Sequence, residues 1–131
     1  MKGSYLLILE LPQRLEVVVG KLGKMSLQPG LYIYAGSAQS GLESRLGRHF
    51  SQDKKKHWHI DYLLEHADLI GAFLLEGGDK ECELNRMVDQ TAGCTRVGNG
   101  FGSSDCCCRT HLHLVTDEAL PLILNELRWM Q

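Results

Sequence analysis

The sequence predicts a single α/β (α+β) domain, and three observations predict it. Within residues 30–50 the apolar pattern changes period. Leu31-Tyr32-Ile33-Tyr34-Ala35 is aromatic and β-branched between Pro29-Gly30 and Gly36-Ser37, as a strand bounded by turn residues is. Leu42, Leu46 and Phe50 then recur every fourth residue, as the inner stripe of a helix does. Strand-like and helix-like segments alternate in the same way along the rest of the chain. Its 131 residues suffice for one core, and neither a repeat nor a linker divides residues 1–131.

Each element has its own signal. Residues 4–11 predict a buried strand, Tyr5 to Leu9, with Pro12 past its end. Residues 15–27 predict a hairpin-like extension turning at Gly20 and Gly23. The strand at 31–37 and the helix at 41–50 follow. A polar connector ends in Lys54, Lys55 and Lys56. From His57 to His66 a second helix carries Ile60, Leu63, Leu64 and Ala67 on one stripe. Leu69 to Leu75 predict a strand ended by Glu76-Gly77-Gly78-Asp79. The helix at 80–90 turns Leu84, Met87 and Val88 inward. Residues 93–105 are a loop rich in glycine and serine. A closing strand spans 109–115, with His111 and His113 on one face. The helix at 117–130 packs Leu120, Ile123, Leu124 and Leu127 inward.

Composition sets limits. The apolar fraction, 44%, is that of a folded chain. The net charge, −2, excludes a strongly basic protein, so a nucleic-acid partner would need a local basic patch. The first apolar run stops at Glu10, too short for a membrane span. Five cysteines, three of them consecutive at 106–108, suit a reducing compartment. These features predict a cytoplasmic protein.

Several residues carry candidate chemistry. Arg45 and His49 are four apart, so they share a helix face at the border of the apolar stripe. Beyond a strand bearing Tyr32 and Tyr34, that pair reads as a site for an anion. His57 and Asp61 are also four apart, so the carboxylate can orient the imidazole. Glu81 sits at the edge of a buried stripe, where a carboxylate is costly unless paired or metal-bound. Glu83 projects further to the side. Near a helix start, negative charge is favourable in any case. Lysine runs are commonly solvated surface. Gly98, Gly100 and Gly102 allow backbone N–H groups to approach a phosphate. Cys82, Cys94, Cys106–Cys108, His111 and His113 raise a zinc or redox reading, but their spacing lacks the two Cys-x₂₋₄-Cys pairs usual for zinc.

Gly3-Ser4-Tyr5, then Tyr34-Ala35-Gly36 with Arg45 and His49 beyond it, resemble the two halves of the signature of the GIY-YIG nuclease superfamily. His57-Trp58-His59-Ile60-Asp61-Tyr62-Leu63-Leu64, Glu81-Cys82-Glu83-Leu84 and Gly100-Phe101-Gly102-Ser103-Ser104-Asp105-Cys106 resemble its Uri-type branch. These segments span residues 3–115 in order. The gap from Tyr5 to Tyr34 is longer than in the homing and repair nucleases. The asparagine that closes many of those sites has Asn99 as its nearest counterpart.

The resemblance implies a small, mainly antiparallel sheet of three to four strands flanked by helices. It implies an endonuclease, a hydrolase of phosphodiester bonds in nucleic acid, with DNA of a repair or processing pathway as the first expectation. Tyr5, Tyr34, Arg45 and His49 would be catalytic, with Tyr5 as the general base or the group that positions the water, and with Arg45 and His49 lowering its pKa from the usual value of about 10. Glu81 would hold Mg²⁺ or Mn²⁺, with Glu83 in reserve. Gly36, Ser37, Lys54, Lys55, Lys56, His57, His59, Ser103 and Ser104 would line the nucleic acid. A module of the same fold that binds without cutting is the alternative.

Overall fold

The computed structural model describes residues 2–38, 41–50, 59–77, 79–103 and 108–130, with side chains apart from those of 42–44. In chain order these are β1 (Gly3–Leu11), β2 (Leu15–Val18), β3 (Lys24–Leu27), β4 (Gly30–Ala38), α1 (Leu42–Phe50), α2 (His59–Leu64), β5 (Asp68–Glu76), α3 (Glu81–Gln90), β6 (Cys94–Arg96), β7 (Leu112–Val115) and α4 (Ala119–Met130). Five strands form one antiparallel sheet, in the order β5-β1-β4-β7-β6. β2 and β3 pair separately as the expected extension. The class is α+β. Among the described residues no helix is long and apolar enough to cross a membrane.

β1 lies inside the sheet, between β5 and β4, because its sequence can be buried on both sides. Eight of its nine residues are buried. Successive side chains of a strand point to opposite faces, and its apolar run supplies both. Tyr5, Leu7, Leu9 and Leu11 join Tyr32, Tyr34, Ile60, Leu63 and Phe101 in one core. Leu6 and Ile8 join Ile33, Ala35, Leu84, Val88 and Ile123 in the other. α2 therefore covers one face, and α3 with α4 the other. Fully burying one such leucine stabilises the fold by about 2 kcal/mol.

The structure departs from expectation in three places. The fifth strand, β6, lies in the segment read as loop. Its three residues are too few for a periodic signal, and pairing with β7 is what makes them a strand. The closing strand begins at Leu112 rather than at residue 109, because Thr110 and His111 bond to loop carbonyls: Thr110 Oγ1 donates to Val97 O, and His111 N to Phe101 O. Phe50, expected inward, is 54% exposed, while its neighbour His49 is buried. The bond His49 makes, described next, accounts for that roll of α1.

Candidate active site

Tyr5, near the start of β1, lies opposite Gly36, near the end of β4. The phenol lies against that glycine. A Cβ at position 36 would stand 2.5 Å from both the Cζ and the hydroxyl oxygen of Tyr5. Tyr34 is seated in the same way on Gly102, whose φ of +68° suits glycine. α1 follows β4 and returns along this end of the sheet. Arg45 Nη1 donates to the carbonyl of Ser37 at 2.9 Å. One turn on, His49 Nε2 stands 2.7 Å from the Tyr5 hydroxyl oxygen, with the rings tilted at 60°. The i, i+4 spacing of Arg45 and His49 thus brings both to the strand that carries Tyr5.

Burial dominates the electrostatics of the two phenols. It pushes the Tyr5 hydroxyl up to about 12, against the opposing pull of Arg45, whose charge and hydrogen bond favour the phenolate. A lowered value was the expectation; desolvation outweighs the cation. Tyr5 therefore keeps its proton at neutral pH. Burial also raises Tyr34 well above the ordinary phenol range, and the neighbouring Tyr5 and Glu81 add to it.

Glu81 reaches the same end of the sheet from the other side. Lys80 N donates to Ser4 Oγ at 2.9 Å, which pins the start of α3 beside the start of β1. The Glu81 side chain is 21% exposed, and its Oε1 stands 2.7 Å from Nδ1 of the buried His111. That nitrogen is also 3.1 Å from the carbonyl of Ala35. Glu83 is exposed. A turn beyond Glu81, buried Asn85 donates through Nδ2 to Thr110 O at 2.9 Å. Two turns beyond, Asp89 accepts from His113 Nε2 at 2.9 Å and from Arg96 at 2.7 and 2.8 Å. His111 and His113 thus face one helix, as their alternation predicts. His111 as the partner of Glu81, and Asn85 beside it, were not foreseen; the contact needs the β4–β7 pairing, which no local pattern encodes.

A family model described as "Domain of unknown function DUF123" matches residues 4–128. The chain belongs to the DUF123 family. Comparison with curated proteins and with solved structures gave no match.

The DUF123 domain treats the expected nucleic-acid residues unequally. Lys54, Lys55, Lys56, His57 and Ser104 lie outside the described residues. Gly36 is buried under Tyr5, and Ser37 is half-buried. His59 does not present Nδ1 to solvent: that atom accepts from Gly102 N at 2.8 Å, its ring packs on Phe101, and burial lowers its pKa. Ser103 is buried beside the carbonyl of Arg109. The N–H groups of Gly100 and Gly102 are taken by Arg109 O and His59, so this stretch of the loop is turned inward rather than toward a phosphate. Asp61 receives two hydrogen bonds from Arg48, at 2.8 and 2.9 Å; His57, which it was expected to orient, lies outside the described residues.

Tyr5, Arg45, His49, Glu81 and His111 all fall within the span that the DUF123 match covers. Together they offer a protonated phenol bonded to an imidazole, a guanidinium, and a partly exposed carboxylate. Such a set can bind an anion and move a proton.

Proposed function

We propose that this domain is a divalent-metal-dependent endonuclease of the GIY-YIG kind, hydrolysing phosphodiester bonds in nucleic acid, with DNA the first candidate. The observation that carries the reading is the 2.7 Å pair of Tyr5 and His49, with Arg45 on the preceding turn. Arg45 suits the non-bridging oxygens of a phosphate, which its planar fork matches. Tyr5 holds its proton at neutral pH. It serves as a relay: its O–H donates to His49 Nε2 while its oxygen accepts a proton from the attacking water. His49 is then the general base, acting through Tyr5.

Glu81 fits a hard divalent cation. It keeps part of its side chain exposed, and only Oε1 is engaged by His111 among the described residues. One carboxylate with waters and phosphate oxygens suits Mg²⁺ or Mn²⁺. Such an ion supplies charge neutralisation at the phosphate and its leaving oxygen.

Cleavage of labelled single-stranded, duplex and branched DNA and RNA, with Mg²⁺ or Mn²⁺ and with EDTA, tests this. Metal-dependent cutting lost in Arg45→Ala and in Glu81→Ala is the expected result. Full cutting by both variants would sink the reading. A second reading, a nucleic-acid-binding module without catalysis, is favoured by one observation: the buried phenols offer no phenolate at neutral pH. Binding that survives Glu81→Ala and chelation, with no cutting, selects it.

A further inference from the structure

We propose that Cys82, Cys108 and His111 form a second kind of metal site, one for a thiophilic divalent cation and best suited to Zn²⁺. One ligand atom from each lies within 4.8 Å of the others. In a tetrahedral site with Zn–S near 2.3 Å and Zn–N near 2.0 Å, such atoms stand about 3.5–3.8 Å apart.

The sequence raises a zinc reading on these residues but argues against it, because the ligands are not two cysteine pairs. Cys82 comes from the first turn of α3. Cys108 and His111 come from the segment that enters β7, three residues apart. The Asn85 bond to Thr110 O holds that segment against α3. Three further features suit a metal. His111 is fully buried and both cysteines are half-buried, so the site is shielded yet reachable. The Glu81 carboxylate stands 2.7 Å from Nδ1 of His111, so Nε2 would be the ligand atom of the proposed site. A carboxylate behind a ligating histidine is the common outer-shell arrangement at zinc. Cys82 sits at a helix N-terminus, where a thiolate is favoured.

Two sulfurs and one imidazole select zinc over magnesium. Three protein ligands leave a fourth position for water. The inference uses sulfur ligands and needs no nucleic acid; it shares the Glu81–His111 contact with the nuclease reading but is tested without cleavage.

The test is titration of the reduced, metal-stripped chain with Co²⁺ and then Zn²⁺. The expected result is one equivalent of Co²⁺, with the thiolate-to-cobalt charge-transfer band and intense tetrahedral d–d bands, displaced by Zn²⁺. Cys82→Ser and Cys108→Ser should each weaken binding at least tenfold. Glu81→Gln should weaken it by about 10–100-fold while keeping the charge-transfer band. No such band in the wild type, or one undiminished in the doubly substituted chain, would overturn the site. Alkylation of the wild type with iodoacetamide, read by mass spectrometry, needs no variant to fold. Zn²⁺ should slow modification of Cys82 and Cys108 at least tenfold and leave Cys94 unchanged. Equal protection of all three, or of none, would overturn the site as well.

Discussion

The ring of Tyr5 occupies the space that a side chain at Gly36 would need, 2.5 Å from where its Cβ would be. The "Tyr-x-Gly" end of β4 is thus a packing requirement of a tyrosine on another strand. Backbone torsion is not the reason, because Gly36 is absent from the glycines with positive φ.

Gly36→Ala should therefore act through Tyr5. The added methyl displaces a buried ring, at a cost of about 1–3 kcal/mol of stability, and breaks the 2.7 Å contact with His49. Urea unfolding should show the loss, and cleavage should fall with it. A variant as stable as the wild type would show that the ring moves freely.

The buried phenols should make the fold sensitive to alkali. Burial raises Tyr5 to about 12 and raises Tyr32 and Tyr34 too. Below pH 10 the folded and unfolded chains both hold these protons. Above it the unfolded chain releases them first, so stability falls as pH rises from 10 toward 12. Tyrosinate absorbance from these residues should appear together with loss of circular dichroism. Three phenols titrating near pH 10 with the fold intact would contradict this.

Arg48→Ala removes both hydrogen bonds to the Asp61 carboxylate, whose side chain is fully buried. Losing one partner of a buried pair should cost about 3 kcal/mol in urea. Replacing both, as Arg48→Met with Asp61→Leu, should recover most of it. Equal losses in the single and double variants would mean that the pair has a role other than mutual compensation.

Asp89 should govern part of the acid limit. Hydrogen bonds from Arg96 and His113 hold its carboxyl well below the usual 3.8. Its contribution is present above that value and is lost as pH falls through the folded pKa. Asp89→Asn should be less stable than the wild type at neutral pH, with the gap closing below pH 3.8. Burial keeps His113 neutral below its usual 6.5, so the unfolded chain takes that proton first and wild-type stability already declines from there. Urea midpoints across pH, for both chains, measure these effects. A gap that stays constant down to pH 2 would count against Asp89.

Much of the fold was legible because its signals are local. The apolar run of β1, the change of period after Gly36 and the stripe of α3 each depend on neighbours a few residues apart. Arg45 and His49 were legible for the same reason, being one turn apart. The partners of Glu81, Asp61 and Asp89 were not. His111, Arg48 and Arg96 reach them across strand pairings or between elements, and no spacing in the sequence encodes those distances. The direction of the Tyr5 shift was misjudged because a nearby cation is visible in sequence and the depth of burial is not. Cys82, Cys108 and His111 stand out in the sequence, but their meeting does not, because Cys82 is 26 residues before Cys108.

An interior strand of the sheet, β1, is also the first of its strands to be synthesised. β1 pairs with β4 and β5, whose residues begin at 30 and 68. A strand apolar on both faces must therefore wait, unpaired, while dozens of residues are added at the pace of translation. Such segments are prone to aggregate during folding. The turn residues Pro12, Gln13 and Arg14 and the early β2–β3 hairpin stand next to it in the chain. The first structure this protein can complete on its own is that hairpin, and the end of the sheet that gathers Tyr5, Arg45, His49 and Glu81 is among the last.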